Sequence, residues 1–367
     1  MEKTYDIEYM QVAIKEAIKG IGKVNPNPLV GAVVVKDGKI ISKGYHEKYG
    51  EAHAEVNALN ESGENSKGAT LYVTLEPCSH FGKTPPCVNK IIEHGIARCV
   101  VATLDPNPLV AGKGIQILKD AGIEVSIGVL EKQAKEMNQV FFKYITKKYP
   151  YIFLKCGITL DGKIATRNFS SKWITNSLAR ERVQEYRNKF SGIMVGTNTV
   201  LKDDPSLKCT LENGRNPFRI ILDSQLSIPI EYRIIKENDD RKTILIIESS
   251  MVGTEKYNLL KEKYNIKFIS MDLIPFSLDS IFKKVGELGI DSVLVEGGSN
   301  IISQLFKENL IDAGEIFVAP KILGDSQGIP FIQGFSPLEI SDSFLLKNIS
   351  INIYGDNVGF EFCNLGG

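Results

Sequence analysis

Short apolar runs alternate with helical segments along most of the chain, and this alternation constrains the fold more than any other feature. In the first half, LVGAVVV (29–35) and KIISKG (39–44) flank the turn KDG and predict a β-hairpin. Further strands are predicted at ATLYVTL, RCVVAT and IEVSIGVL, and helices at AHAEVNALNES, PPCVNKIIEHG and 131–145. Such alternation is typical of a central sheet with helices packed on it, so the first half is predicted to be an α/β structure.

The alternation restarts after TKKYP, a short polar segment that we interpret as a linker. Strands are predicted at YIFLKCGITL, GIMVG, FRIILD, KTILIIE, DSVLVEGG and EIFVAP, and helices at NSLARERVQEYRNKF and SNIISQLFKENL. The segment KENDDRK is expected to be a solvated loop. A chain of 367 residues, 43% of them hydrophobic, suits two domains with cores of their own, and we predict them at 1–147 and 148–367.

Composition excludes several classes of function. Lys and Arg together number 44, as do Asp and Glu, so no basic surplus indicates nucleic-acid binding. No apolar run reaches the roughly 18 residues that a membrane span needs, and the N-terminal stretch is a charged helical stripe rather than a signal-peptide core. We therefore expect a cytoplasmic protein without membrane or nucleic-acid partners. Its six scattered cysteines are expected to be reduced thiols.

Three residues of the first half have the chemistry of zinc ligands. His53 begins a predicted helix, Cys78 follows a predicted strand, and Cys87 follows two prolines at a helix start. A catalytic zinc takes three protein ligands and keeps one position open for a water molecule, whose pKa it lowers to around 7. Glu55, two residues after His53, is placed to carry protons between this water and a substrate. The set predicts hydrolytic deamination of an amidine-like ring carbon.

Two other interpretations of these residues must be considered. His80 would close a four-ligand structural zinc site together with His53 and the two cysteines, as in a zinc-stapled regulatory protein. The two cysteines are also compatible with buried thiols that bind no metal. Neither alternative explains Glu55 or the polar residues between the cysteines, so a catalytic zinc is favoured.

The stretch TLEPCSHFGKTPPC resembles the deaminase half of the bifunctional riboflavin-biosynthesis deaminase/reductase family. Eight residues separate its cysteines, whereas most cytidine, deoxycytidylate and tRNA adenosine deaminases place two there. NPNPLVGAVVV, GYHEKYGEAHAEV and DPNPLVAGKGI extend the resemblance over most of residues 1–145. It implies a cytidine-deaminase-like α/β/α sandwich that converts 2,5-diamino-6-(5-phosphoribosylamino)pyrimidin-4(3H)-one into 5-amino-6-(5-phosphoribosylamino)uracil and ammonia.

The resemblance also implies roles for individual residues. It assigns zinc binding to His53, Cys78 and Cys87 and the proton shuttle to Glu55. An amide offers a donor and an acceptor to a pyrimidinone edge, and imidazole and ammonium groups can meet a phosphate. The implied substrate contacts are Asn27, His46, His80 and Lys83, although ordinary loop hydrogen bonding is the alternative for the first two. Glu76 is expected to be structural.

The second half contains no G-x-G-x-x-G after a strand, so the residues do not predict a Rossmann dinucleotide site. VLVEGGSN places two glycines between a strand and a helix, where backbone N–H groups can bind a phosphate. Alternatively, the two glycines only permit close packing.

LKCGITLDGKIAT, SKWIT, VGTNTVLKDDPSL, FRIILD and LVEGG resemble the reductase half of the same family. The resemblance implies a dihydrofolate-reductase-like α/β domain that uses NADPH to reduce the ribosyl group to ribityl. The implied cofactor contacts are Gly157, Trp173, Thr199, Asp203, Ser224 and the backbone from Gly298 onward; a core position is the alternative for Trp173. The implied substrate contacts are Ser171, Arg187, Leu207 and Glu296. Lys155 and Asp161 also match family positions but are left out of the site, because a surface charge and a turn residue explain them equally well.

One departure from the family pattern concerns the reductase. The family carries an arginine for the substrate phosphate where this chain has Thr210. Either Lys208 or Arg215 compensates, or the affinity of the reductase is weaker.

We therefore predict a bifunctional, zinc-dependent and NADPH-dependent enzyme of riboflavin biosynthesis that acts on small phosphoribosylaminopyrimidines and forms a homo-oligomer. A chain with an inactive reductase domain is the alternative. A nucleic-acid-editing deaminase with an appended ligand-binding domain is a further rival, disfavoured by the neutral charge and the long loop between the cysteines.

Overall fold

The structure is a computed structural model that describes residues 2–81, 85–107, 111–272, 276–334 and 337–364. The chain divides into two compact units, Met1–Lys148 and Tyr149–Gly367. Within the described ranges, no helix combines the length and the hydropathy that crossing a membrane would require.

The first unit alternates strands and helices from its second strand onward. Its helices are α1 (Glu2–Ile18), α2 (Ala54–Ser62), α3 (Cys87–Glu93), α4 (Lys113–Asp120), α5 (Glu131–Met137) and α6 (Gln139–Lys147), with a 3-10 turn at Gly63–Ser66. Its strands are β1 (Gly31–Lys36), β2 (Lys39–Tyr45), β3 (Thr70–Val73), β4 (Arg98–Val101) and β5 (Glu124–Ile127).

The five strands form one sheet in the order β2-β1-β3-β4-β5. The β1–β2 hairpin turns at Asp37 and Gly38, whose positive φ angles of 50° and 71° suit a tight two-residue hairpin turn. β3, β4 and β5 are parallel, so the ends of β3 and β4 meet at one edge of the sheet. One face packs on α2, α3 and α4 and the other on α1 and α5, which makes an α/β/α sandwich with a core on each side.

The single helix predicted over 131–145 is wrong, because α5 and α6 are separate helices that meet at Asn138. This residue is 2% exposed, and its side chain binds the backbone of Leu29 twice. Its Oδ1 accepts from the Leu29 N–H at 2.8 Å, and its Nδ2 donates to the Leu29 carbonyl at 2.9 Å. The two bonds hold Asn138 in place at the junction between the two helices.

The second unit carries a larger sheet. Its helices are α7 (Ser177–Lys189), α8 (Thr197–Asp203), α9 (Arg233–Lys236), α10 (Glu255–Tyr264), α11 (Leu278–Glu287) and α12 (Ser299–Lys307), with 3-10 turns at Ser249–Met251 and Ile340–Asp342. Its strands are β6 (Tyr151–Thr159), β7 (Lys163–Ala165), β8 (Gly192–Gly196), β9 (Phe218–Leu222), β10 (Thr243–Glu248), β11 (Lys267–Met271), β12 (Ser292–Val295), β13 (Ala313–Ala319), β14 (Ile329–Pro330), β15 (Ser350–Tyr354) and β16 (Asn357–Cys363).

Nine described strands form the main sheet in the order β11-β10-β9-β8-β12-β6-β13-β16-β15. The strands from β11 to β13 are parallel, and the C-terminal hairpin β15–β16 adds antiparallel strands at one edge. Alternate β6 residues face opposite layers: Leu154 belongs to the core with α11 and α12, whereas Phe153 packs against Tyr186 and Phe190 on the α7 side. The predicted α/β class of both halves is thus confirmed.

The prediction that KENDDRK is a solvated loop is confirmed in part: Asp239 and Arg241 are exposed, whereas Asn238 and Asp240 contact a buried arginine. Arg219 of β9 is only 1% exposed, and its guanidinium pairs with Asp240 of this segment and donates to the Asn238 side chain at 3.0 Å. Asn238 is itself 5% exposed. A buried cation requires such partners, so the segment folds inward to pair with it.

Candidate active sites

Three elements of the first unit bring the predicted zinc ligands together. His53 is the N-cap of α2, Cys87 is the first residue of α3, and Cys78 lies in the loop that follows β3. One ligand atom from each lies within 4.8 Å of the other two. The His53 Nδ1 atom is 3.2 Å from the Cys87 sulfur and 3.5 Å from the Cys78 sulfur, so the ring faces the thiols through Nδ1. An imidazole with two thiols in a half-buried to buried pocket suits zinc with one open position.

The pKa values of His53, Cys78 and Cys87 depend on one another. Hydrogen bonding from Cys87 lowers the pKa of the Cys78 thiol, and hydrogen bonding to Cys78 together with burial raises the pKa of Cys87. Hydrogen bonding to Cys78 raises the pKa of His53. A sulfur that is already stabilised as a thiolate is a prepared metal ligand.

Glu55 lies beside the cluster and is 3% exposed. Burial raises the pKa of its carboxyl group to about 7, although the His53 imidazole lowers it. A carboxyl group that titrates near neutral pH can both accept and donate a proton, which a shuttle requires.

Among the described residues, the candidate metal cluster contains His53, Cys78 and Cys87 without His80. The His80 side chain is exposed in the loop after Cys78. The geometry therefore favours the open, three-ligand interpretation over the closed, four-ligand one. Lys83 lies outside the described residues.

Asn27 and His46 form a hydrogen-bonded pair. The His46 Nδ1 lies 3.0 Å from the Ala52 carbonyl, to which it must donate, so its Nε2 accepts from the Asn27 Nδ2 at 3.1 Å. Burial lowers the pKa of His46, which agrees with a neutral ring. The His46 and His53 rings meet edge to face with 5.3 Å between their centroids, so the pair lies beside the ligand cluster.

Glu76 has a structural role. Its carboxylate accepts backbone N–H groups of Gly112 and Gly114 at 2.9 Å each, with longer bonds from Asp105 and Ile115. The carboxylate thereby fixes the start of α4 against the loop that carries Cys78.

The second unit contains a cavity of about 1290 Å³. It lies at the ends of β8 and β12 and is walled by α7, α8 and the start of α12. Nine residues predicted for the reductase line it: Gly157, Ser171, Trp173, Arg187, Thr199, Asp203, Leu207, Glu296 and Gly298. Ser224 is absent from the described lining; it is half-buried, and its carbonyl accepts from the Glu248 N–H.

Arg187 and Glu296 form an ion pair in the cavity wall. The guanidinium donates from Nε and Nη2 to the two carboxylate oxygens at 3.0 and 3.2 Å. Although burial raises it, the pKa of Glu296 is lowered overall by the charges of Arg187 and Lys155. Both members of the pair are therefore charged, and Lys155, which also lines the cavity, belongs to the same electrostatic group. By contrast, Asp161 holds a turn by accepting from the Thr159 hydroxyl and the Gly324 N–H.

The start of α12 presents unsatisfied polar groups to the cavity. Its N-cap, Gly298, offers no side-chain cap, and the buried Ser299 hydroxyl has no hydrogen-bond partner among the described residues. A Cβ at Gly297 would lie 2.8 Å from Ile301, so this position needs glycine. Helix N–H groups and an unpaired hydroxyl suit a phosphate of a dinucleotide such as NADPH.

Neither basic residue considered as a substitute for the missing arginine lines the described part of the cavity. The Lys208 ammonium is bound to Asp239 at 2.6 Å, and the Arg215 guanidinium lies beside the Lys189 carbonyl. Thr210 does line it, and its N–H donates to the Gln184 side chain at 3.0 Å.

The two halves of the chain match two different family models. The family model for the cytidine and deoxycytidylate deaminase zinc-binding region matches residues 3–103, and the model for the RibD C-terminal domain matches residues 150–358. A riboflavin biosynthesis protein RibD from Aquifex aeolicus is 48% identical over 331 residues, which are 90% of this chain and 91% of the relative. This chain belongs to the RibD family.

Other RibD proteins and structures cover nearly the whole chain. The Escherichia coli RibD is 38% identical over 94% of this chain and 96% of its own length. A Thermotoga maritima structure described as a diaminohydroxyphosphoribosylaminopyrimidine deaminase/5-amino-6-(5-phosphoribosylamino)uracil reductase has a TM-score of 0.88 and 41% identity, covering 99% of each chain. An Acinetobacter baumannii RibD structure has a TM-score of 0.89 and 34% identity at the same coverage. The predicted family and the predicted two-enzyme organisation are thereby confirmed.

The RibD resemblance did not single out every residue of the cavity. Arg180 and Gln184 line it together with Arg187. The three residues lie at positions i, i+4 and i+7 of α7, which are on one face of a helix. Residues three and seven positions before Arg187 share its face of the helix, and this periodicity would have identified Gln184 and Arg180 from the sequence.

Proposed function

We propose that this chain catalyses two consecutive steps of riboflavin biosynthesis, deaminating the diaminopyrimidine in residues 1–147 and reducing its ribosyl group in residues 148–367. The observation that carries the proposal is the His53, Cys78 and Cys87 cluster with Glu55 beside it, in one chain with a cavity that suits a dinucleotide. The order of steps follows from the deaminated uracil being the substrate of the reductase.

In the deaminase step, Glu55 is the proton carrier. Zinc, when bound by His53, Cys78 and Cys87, supplies an activated water as the nucleophile. Glu55 would take a proton from such a water as the water oxygen adds to the ring carbon that bears the 2-amino group, and would then deliver this proton to the departing amine. The products are the 2-oxo compound and ammonia. The buried Glu55 carboxyl group, with a pKa of about 7, suits both proton transfers.

Asn27 and His46 are proposed to orient the pyrimidine. Because the Asn27 side-chain nitrogen donates to His46, the Asn27 side-chain oxygen is the group offered to a ring N–H or amino donor of the substrate. His80 and Lys83 are proposed to meet the phosphate, since an exposed imidazole and an ammonium are suited to it.

In the reductase step, residues of this chain bind and orient the cofactor and the substrate. NADPH, when bound, supplies the hydride that converts the ribosyl group into ribityl. We assign the start of α12 and Gly157, Trp173, Thr199, Asp203 and Ser224 to the cofactor. Ser171, Leu207, Arg187 and Glu296 are assigned to the substrate, where the guanidinium suits a phosphate and the carboxylate suits sugar hydroxyls.

Supplying the deaminated uracil intermediate and NADPH directly tests the second step. We expect NADPH to be consumed, with ribityl product formed in equal amount. A protein that releases ammonia from the diaminopyrimidine yet leaves NADPH unchanged would support the alternative of an inactive reductase domain. In the described residues no observation favours that alternative. A cytoplasmic location and a homo-oligomer remain predictions from the sequence.

A further inference from the structure

Trp173, the only tryptophan of the chain, lies in the cavity wall with an arginine on its ring. The Arg180 guanidinium carbon is 4.5 Å from the centroid of the indole, which is cation–π geometry. The tryptophan is nevertheless 62% exposed. Most of the ring thus remains open to a ligand while one face is held by the arginine.

Arg180 is itself fixed. Its Nη1 donates to the Thr175 carbonyl at 2.7 Å, so the guanidinium bridges α7 and the segment that carries Trp173. Lys321 holds the same segment from the other direction, because its Nζ donates to the Trp173 carbonyl at 2.5 Å. The ion pairs of the described residues include no carboxylate for Arg180, so its charge acts on the indole rather than on an acid.

A second arginine of α7 provides a comparison. Arg182 lies 4.6 Å from the centroid of Tyr186, nearly the same geometry, and it does not belong to the described lining of the cavity. Tyr186 is 2% exposed, and its hydroxyl donates to Glu315 at 2.6 Å. The Tyr186 ring is thus buried in the core, whereas the Trp173 ring of the Arg180 pair is accessible.

We propose that Arg180 is a positioning residue that holds the Trp173 indole as a stacking platform for a planar ring of NADPH. This inference rests on the proposed reductase function and deepens it. Aromatic rings bind ligand rings by offset stacking, and they do so best when their own orientation is fixed before binding. Arg180 fixes the indole from one face and leaves the other face for the ligand ring.

Tryptophan fluorescence tests the platform without turnover, because Trp173 is the only emitter of its kind. NADPH itself quenches over long distances by energy transfer, so the probes are fragments: 2′,5′-ADP carries the adenine and nicotinamide mononucleotide carries the nicotinamide. We expect saturable quenching by at least one of them, and the active fragment identifies the stacked ring. Binding of both fragments, measured by calorimetry, without any change in emission would overturn the platform.

Arg180→Gln tests the positioning role, with Arg182→Gln as the matched control. We expect Arg180→Gln to raise the KM for NADPH about 3- to 10-fold with little change in kcat, as loss of a partly exposed cation–π contact predicts. The emission of the ligand-free variant should also shift, since the ring is no longer held. Arg182→Gln should alter neither quantity.

Further readouts separate positioning from misfolding and from a failure of the proposed function. Arg180→Lys, a milder change, should raise the KM in the same direction, and both variants should release ammonia like the unmodified protein. If both Arg180 variants keep the original KM and emission, the positioning role is wrong. If the unmodified protein does not oxidise NADPH at all, the proposed reductase function fails, while the fragment titrations still decide whether the platform exists.

Discussion

The Glu55 carboxyl group shows at the scale of a single residue how burial prepares chemistry. Glu55→Gln keeps the shape and the three zinc ligands but removes the group that carries protons. We expect ammonia release to fall by about 10²- to 10⁴-fold, the usual contribution of general acid–base catalysis. Zinc content, measured by metal analysis of the purified variant, should stay at one per chain.

Glu8→Gln is the matched control, because Glu8 is exposed on α1, which packs on the opposite face of the sheet from the ligand-bearing helices α2 and α3. It should leave ammonia release unchanged. A Glu55→Gln variant that kept both its zinc and its activity would remove Glu55 from the mechanism.

Glu296 tests the reductase site in the same way. Glu296→Gln leaves the half-buried Arg187 guanidinium without its carboxylate, and such a loss typically costs about 2–5 kcal/mol. We therefore expect kcat/KM for NADPH-dependent reduction to fall by about 30-fold or more. Ammonia release should be unaffected. Glu287→Gln changes an exposed carboxylate of α11 that lies outside the described lining of the cavity, so it serves as the control and should reduce at the original rate.

Individual zinc ligands were predictable because metal chemistry restricts which residues, in which spacing, can serve. His53, Cys78 and Cys87 meet in the structure as the motifs implied. The hydrogen bond between Asn27 and His46 was not predictable, since it depends on how two loops approach each other. Whether Lys208 or Arg215 reaches the cavity depended on partners such as Asp239, which no motif identifies.

At the scale of elements, an ion pair attaches α1 to the sheet. Arg98 of β4 donates to both Asp6 oxygens at 2.8 Å, and the Tyr72 hydroxyl of β3 donates to one of them. Asp6 is 6% exposed. Asp6→Asn should lower the free energy of unfolding by about 2–3 kcal/mol, measured by urea denaturation, because it removes the buried carboxylate and leaves the Arg98 guanidinium with only the exposed Glu124 as an ion-pair partner in the described part of the chain.

The same arginine provides the control. Glu124 also contacts Arg98, at 3.2 Å, but its side chain is 70% exposed. Glu124→Gln should therefore cost less than about 1 kcal/mol. Equal losses in the two variants would contradict the assigned role of Asp6.

The Asp6 pair also predicts a pH dependence. Hydrogen bonding to Arg98 lowers the pKa of Asp6 below its ordinary value. A carboxyl group with a lowered folded-state pKa stabilises the fold above its unfolded pKa of about 3.9, and the stabilisation is lost as the pH falls through the folded pKa. The stability difference between the original protein and Asp6→Asn should therefore be largest near neutral pH and shrink in acid. A difference that grew on acidification would contradict this linkage.

Most elements could be predicted from the sequence, because apolar periodicity and turn residues are local signals. The exceptions depend on distant partners. Asn138 lies where α5 ends, and its side chain bonds to Leu29, more than a hundred residues earlier. Arg219 sits in a strand that reads as apolar, and its partner Asp240 was assigned to a solvated loop. No local sequence pattern shows that Asn138 and Arg219 are buried.

At the scale of the whole molecule, the two chemistries should respond separately to removal of the metal. A zinc chelator is expected to abolish ammonia release, since the only described cluster with metal-ligand geometry is in the first unit. Reduction of supplied deaminated intermediate should continue, and added zinc should restore the first activity. Loss of both activities on chelation would contradict the assignment of zinc to the deaminase alone.

The central claim is that one chain performs deamination and then reduction. The most direct measurement gives purified protein the diaminopyrimidine and follows ammonia and NADPH together. We predict ammonia release without NADPH and, once NADPH is added, oxidation of one NADPH for each ammonia released, with the ribityl product accumulating. NADPH oxidation that preceded ammonia release, or ammonia release that NADPH oxidation never followed, would contradict the account.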